Sequence, residues 1–256
     1  MNDKKVIWIT GASSGIGRSL ALKFAKEGWT VAASDIQENL LHELDNENEN
    51  IHSFPLDVTN AEKCKIVFNN ILNKFNDVEI CFFAAGINDP ESEKSFNLIS
   101  IKKIMDVNYF GVMNSINSIY KHYNNKKSGQ ISVISSVAAF RGLPKAGAYC
   151  ASKSALTAFM ETLNFEMRKI NVKVSIINPG FIKTAMTDKN DFWMPMLRPS
   201  KFAAEKIYIG LIKDDTFEIN FPKPFTTFMK FLGILPYKIY FKIYETMYKI
   251  LKVRGY

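Results

Sequence analysis

Short apolar runs recur along the chain and alternate with stretches whose apolar positions fall three and four residues apart. The runs Val6 to Ile9, Thr30 to Ser34, Ile51 to Pro55, Glu79 to Ala84, Gln130 to Ser135, Val172 to Ile177 and Phe217 to Phe221 have the length and composition of strands. Between and after them, Gly15 to Glu27, Glu38 to Asp45, Ala61 to Phe75, Ile101 to Tyr123, Ala146 to Lys169 and Phe202 to Lys213 read as helices. Strands that are apolar along nearly their whole length have no solvent face, so the sheet is predicted to be parallel and covered by helices on both sides.

This alternation predicts an α/β fold of the Rossmann type, a doubly wound parallel sheet of about seven strands in one domain over residues 1–222. In such a sheet ligands bind beyond the carboxyl ends of the strands, where strand order reverses. Residues 223–256 follow the last predicted strand as a basic, aromatic extension. Lys238, Lys242, Glu245, Lys249 and Lys252 recur every three or four residues and form one stripe on a helix, opposite a wide face of tyrosine, phenylalanine, isoleucine and methionine. Phe225, Phe228, Phe231, Leu232, Ile234 and Leu235 form an earlier apolar segment that extends this face or roofs the site. The pattern suits a helix lying in a membrane interface, the favoured reading, or one packed on a partner subunit.

Of the formal net charge of +8, six charges fall within residues 221–256. The excess is therefore a property of the tail, and nucleic acid is not an expected partner. Cys64, Cys81 and Cys150 are scattered, with no Cys-x-x-Cys pair, and His42, His52 and His122 have no ligand-like spacing. Neither a disulfide framework nor a metal site is expected, and a reducing, cytoplasmic compartment is. Residues 1–5 pass directly into the first apolar run, too soon for a leader peptide, and no run of about 18 uncharged apolar residues suggests a membrane span. Peripheral attachment at the cytoplasmic membrane face, through the tail, is the remaining membrane expectation.

The segment Thr10-Gly11-Ala12-Ser13-Ser14-Gly15-Ile16-Gly17 follows the first strand and opens the first helix. Glycines there let backbone amides approach a pyrophosphate at the positive end of the helix. About 20 residues on stands Asp35, at the end of the second strand, where a carboxylate accepts hydrogen bonds from an adenine ribose and repels a 2′-phosphate. Ile36 and Gln37 follow where a 2′-phosphate would call for a cation, so NAD(H) is expected before NADP(H); Arg18 is the dissenting cation.

Tyr149 and Lys153 are four residues apart on a predicted helix and project from one face, thirteen residues and more beyond Ser136. A free tyrosine titrates near pH ~10, too high for good acid-base catalysis at neutral pH. One cation about 4 Å away, worth ~4 kcal/mol at an effective dielectric of ~20, would lower it by roughly three pK units.

Together these residues resemble the short-chain dehydrogenase/reductase family, in its short-subunit branch, over residues 4 to 222. The resemblance implies an NAD(P)-dependent oxidoreductase with a tetrad of Asn108, Ser136, Tyr149 and Lys153. Tyr149 would be the general acid and base, Ser136 would hold the reacting oxygen, Lys153 would bind the nicotinamide ribose and lower the tyrosine, and Asn108 would order a water. It also implies adenine contacts at Asp57 and Val58, a turn at Pro179 and Gly180 beside the nicotinamide, a carboxamide contact at Thr184, and a dimer or tetramer through the helices holding Asn108 and Tyr149. One departure stands out: the family's Asn-Asn-Ala-Gly turn reads Phe83-Ala84-Ala85-Gly86, which keeps the glycine that approaches the cofactor beside Ala85. The segment from Met186 to Pro199, with Phe192, Trp193, Met194, Met196 and Leu197, suggests an apolar lid over a small hydrophobic or lipid-like alcohol or ketone. The rival readings are a non-catalytic dinucleotide sensor and a membrane-associated scaffold of the same ancestry.

Overall fold

The computed structural model describes residues 5–90, 96–190, 192–214 and 216–253, with side chains described as far as Thr246. The strands are β1 Val6–Thr10, β2 Thr30–Ser34, β3 Ile51–Ser53, β4 Ile80–Phe83, β5 Gly129–Ile134, β6 Val172–Pro179, β7 Ile182–Lys183, β8 Arg198–Pro199 and β9 Glu218–Phe221. Seven of them form one sheet in the order β3-β2-β1-β4-β5-β6-β9, with every neighbouring pair parallel. The order reverses between β1 and β4, which is where the glycine-rich segment emerges.

The helices are α1 Gly15–Lys26, α2 Glu38–Glu47, α3 Ala61–Phe75, α4 Leu98–Met105, α5 Gly111–Lys126, α6 Gly147–Arg168, α7 Ser200–Ile212, α8 Lys223–Ile234 and α9 Tyr237–Val253. β1 explains the two layers: Val6 and Trp8 point into a cluster with Phe68, Ile116, Leu156 and Met160, while Ile7 and Ile9 point into one with Leu20, Phe24, Leu41 and Ile207. Alternate side chains of one buried strand thus supply both cores.

The helix predicted from Ile101 to Tyr123 is longer and interrupted. It starts at Leu98, where the Asn97 side chain accepts from the amides of Ile99 and Ser100, and a π-helical turn at Asp106–Phe110 separates α4 from α5. β3 stops two residues short of the predicted strand, and β6 runs two residues further because Asn178 and Pro179 pair with Asn220 and Phe221.

The tail packs back on the sheet's carboxyl end. Met229, Leu232 and Tyr240 form a third apolar cluster with Val137, against Phe140, Leu143 and Phe225. Among residues 237–246, Tyr240, Ile243 and Tyr244 face inward and Lys238 and Lys242 outward. The side chains of Lys249 and Lys252 and all of Arg254 lie outside the described residues.

Candidate active site

The turn from β1 to α1 is built by glycine. Gly11 has φ +70° and Gly15 φ +55°, and a Cβ on Gly11 would stand 2.6 Å from the Ala85 amide nitrogen. Gly17 packs against the Gly11 carbonyl, where a Cβ would lie only 2.0 Å away. α1 begins after Ser14 with no side-chain cap on its first amides and no acidic residue in its first turn. Thr10 and Ser13 bury hydroxyls that find no hydrogen-bond partner among the described residues. Uncapped amides, unpaired hydroxyls and a cradle that a Cβ would fill fit a phosphate-bearing ligand.

Asp35 stands at the edge of that turn, its carboxylate accepting from the Ser13 amide at 3.2 Å and the Gln37 amide at 3.0 Å. Arg18 is paired with Glu47 of α2. On the same side of the reversal, beyond β3, Asp57 accepts from the Thr59 amide and hydroxyl at 2.9 and 2.7 Å, and Asn114 of α5 donates to the Val58 carbonyl at 3.0 Å.

The second half of the site gathers around Gly86. A Cβ there would meet Asn108 Oδ1 at 3.3 Å and Lys153 Nζ at 3.7 Å. Asn108 is fully buried in the π-helical turn; its Oδ1 accepts from the Ile87 amide at 2.7 Å, and its Nδ2 donates to the Ile87 carbonyl at 2.9 Å and to Ser152 Oγ at 3.1 Å. The Asn108 side chain therefore clamps the loop following Gly86 to α6. Ser136 follows β5 and caps a short turn at Val137–Ala139, accepting from the Ala138 amide at 3.1 Å.

Lys153 is 4% exposed, donates to the Ile134 carbonyl at 2.9 Å, and holds its ammonium over the Tyr149 ring, 5.7 Å from the centroid. Burial brings the Lys153 ammonium down to about 8. Burial also pushes the Tyr149 phenol up to about 12, opposed by its hydrogen bond with the Ser136 hydroxyl. The expected lowering of the phenol by the ammonium is thus corrected: both groups are buried, and desolvation, which disfavours the charged form of each, outweighs the neighbouring cation.

A sequence profile described as short chain dehydrogenase matches residues 5–194. The chain belongs to the short-chain dehydrogenase/reductase family. An uncharacterized oxidoreductase of Myxococcus xanthus is 31% identical over 232 residues, 89% of this chain and 91% of that one. The 3-oxoacyl-[acyl-carrier-protein] reductase FabG of Thermotoga maritima is 32% identical over 194 residues, 72% of this chain and 77% of its own. Among solved structures, ElxO with NADP bound superposes with a TM-score of 0.76 at 26% identity, covering 85% of this chain and 97% of that chain. The protein is accordingly an oxidoreductase of a family that uses nicotinamide dinucleotides.

The remaining predicted positions lie around the turn after β6. Thr184 Cγ2 lies 3.1 Å from where a Gly15 Cβ would stand, which brings the turn after β6 onto the glycine turn. Gly180 follows Pro179 and is roofed by the tail: a Cβ on it would meet Phe225 Cδ1 at 2.7 Å. β7 and β8 pair at Ile182–Arg198 and Lys183–Pro199, tying together the two ends of the predicted apolar lid. Phe192 of that segment meets Phe181 at 5.9 Å, and Phe181 meets Phe225 at 5.5 Å.

Several participants were not visible in the sequence. The Ile87 and Ile134 backbone groups carry no side-chain signal, whereas Ser152, inside the Tyr149–Lys153 turn, is placed by spacing alone. Arg141 was missed too; it donates to the carbonyls of Gly233 and Leu235, each at 3.1 Å, from the loop following Ser136.

Proposed function

We propose that the protein moves a hydride between a nicotinamide cofactor and a hydrophobic secondary alcohol or its ketone, with Tyr149 handling the proton. The observation that carries this reading is the Ser136 hydroxyl bonded to the Tyr149 phenol beneath the Lys153 ammonium, next to Gly86. Gly11, Ser13, Ser14, Gly15, Ile16 and Gly17 would hold the pyrophosphate, Asp35, Asp57 and Val58 the adenosine end, and Ala85, Gly86, Pro179, Gly180 and Thr184 the nicotinamide end. When bound, the cofactor supplies or accepts the hydride.

Tyr149, protonated at neutral pH, is set to donate to a carbonyl oxygen as it becomes an alkoxide, and Ser136 orients that oxygen. Lys153, charged below about pH 8, puts a cation over the ring from which the proton leaves. Asn108 keeps the floor at Gly86 in register with α6. The cluster of Phe181, Phe192 and Phe225 beside Gly180 supports a lipid-like or otherwise apolar substrate.

NAD(H) is the favoured cofactor, since Asp35 is held at the ribose edge by two amides and Arg18 is committed to Glu47. ElxO, which binds NADP, marks the alternative. Exposed Phe110 and Phe165, next to or on α5 and α6, support a homodimer or homotetramer, and the tail supports a peripheral place at the cytoplasmic face of a membrane. The sensor reading loses its one support, since Phe83 is packed edge-on to Trp8 at 5.5 Å in place of an asparagine brace.

Tyr149→Phe tests the mechanism: turnover of a hydrophobic ketone with NADH should fall by a factor on the order of 10²–10⁴ with NADH binding intact. Turnover that survives the substitution would reject Tyr149 as the proton donor.

A further inference from the structure

We propose that the junction of α8 and α9 is a docking surface for an anionic lipid bilayer. This sharpens the membrane part of the reading above and is independent of the hydride chemistry. Phe228, Phe231 and Ile234 on α8 are 43, 53 and 80% exposed, and Tyr237, Ile239 and Phe241 on α9 are 69, 48 and 56% exposed. Six large apolar side chains within fourteen residues make a patch of the kind that marks an interaction surface. It is not the outside of a loosely attached tail. The opposite faces of the same helices bury Thr226, Met229, Leu232 and Tyr240.

The junction is also held in place. Arg141 donates to the carbonyls of Gly233 and Leu235, lies over the rings of Tyr237 at 4.2 Å and Tyr240 at 4.7 Å, and the Tyr240 hydroxyl donates to the Gly142 carbonyl at 2.6 Å. The patch is therefore presented as a preformed face, with little ordering left to be done on docking.

Charge selects the occupant. Lys223, Lys238 and Lys242 are exposed around the patch, Lys230 is turned to Glu218, and Glu245 is the one acidic residue from 221 to 246. A second copy of the chain in a twofold contact would bring these like charges together, whereas an anionic headgroup layer attracts them while its acyl boundary takes the aromatic and aliphatic side chains. The same α8 turns Phe225 onto Gly180 and Phe181, so the bilayer-facing end adjoins the apolar side of the candidate site. A substrate dissolved in the bilayer would have a short path.

The test is co-sedimentation of the full chain with phosphatidylcholine vesicles, with and without phosphatidylserine, at low and high salt. Wild type should pellet with the phosphatidylserine vesicles at low salt and be released at high salt. A variant with Phe231→Ser, Ile234→Ser and Phe241→Ser, and a second with Lys238→Glu and Lys242→Glu, should each bind at least about tenfold more weakly. Circular dichroism checks the folding of both variants, and the second keeps the apolar patch intact should the first not fold. Wild type remaining in the supernatant, variants that pellet like wild type, or variants that instead turn a dimer into a monomer by light scattering would each overturn the proposal. Turnover of a water-soluble ketone, measured alongside, reads the hydride chemistry separately: its absence counts against that reading and leaves the vesicle result standing.

Discussion

The Lys153 ammonium lies over the face of the Tyr149 ring, 5.7 Å from its centre, and donates a hydrogen bond to the Ile134 carbonyl. Folding therefore brings Lys153 down from 10.5 to about 8. Between those values the unfolded chain binds more protons than the folded one, so stability rises with pH through that window. Below it, the buried charge costs about 3 kcal/mol. Lys153→Met should flatten the rise in melting temperature between pH 8 and 10.5, leave the protein at least as stable at pH 7, and lower turnover. A variant with the wild-type pH slope would show that the charge is not buried as described.

Asp35 joins two amides at the edge of the glycine turn, and Arg18 is held off by Glu47. Removing the carboxylate removes the repulsion of a 2′-phosphate. Asp35→Ser should shift the NAD(H)-to-NADP(H) affinity ratio toward NADP(H) by about tenfold or more, roughly 1.4 kcal/mol, read by calorimetry. Adding Glu47→Gln, which frees Arg18, should carry it further. An unchanged ratio would place the ribose elsewhere.

Phe83 is 1% exposed and packs on Trp8, whose indole donates to Ser34 Oγ at 2.9 Å and whose ring stacks on Phe68 at 5.5 Å. Restoring the family's residue by Phe83→Asn would set an amide among these rings and leave a void. The expected cost is about 3 kcal/mol in urea unfolding, and a neutral result would mean that the asparagine finds partners despite the altered turn.

Arg141→Ala removes two hydrogen bonds and two ring contacts from the α8–α9 junction. About 2–3 kcal/mol of local stability should be lost, seen as faster amide exchange over residues 233–246. Arg141→Lys should restore little, because an ammonium lacks the planar fork that spans two carbonyls.

The sheet and its helices were legible because both rest on local periodicity. α3 starts and stops where Ala61 and Phe75 predict, with Asn60 capping the Lys63 amide at 2.9 Å. The interruption at Asp106–Phe110 was not legible, since Asn108 is pulled inward by Ile87, twenty-one residues earlier, and by Ser152, forty-four later. The glycine turn was readable because missing side chains are a sequence fact, and its contact with Ala85 was not.

The tail shows the same division. Its period of three to four announced a two-faced helix, but which face is buried was settled by Arg141 and Gly142, more than ninety residues away along the chain. The stripe of Lys238 and Lys242 stayed outward, and Tyr240 turned inward where the sequence showed only one more aromatic residue.

By itself, then, the sequence determined the parallel sheet, the glycine turn, the pairing of Tyr149 with Lys153 on one helical face and the two-faced tail, because each follows from spacing along the backbone. The tertiary structure alone decided the protonation of Tyr149 and Lys153 and the seat of the tail. Burial sets the first and the carbonyls of Gly233 and Leu235 help fix the second, and which groups are buried and where distant carbonyls come to lie are properties of packing that no local spacing encodes.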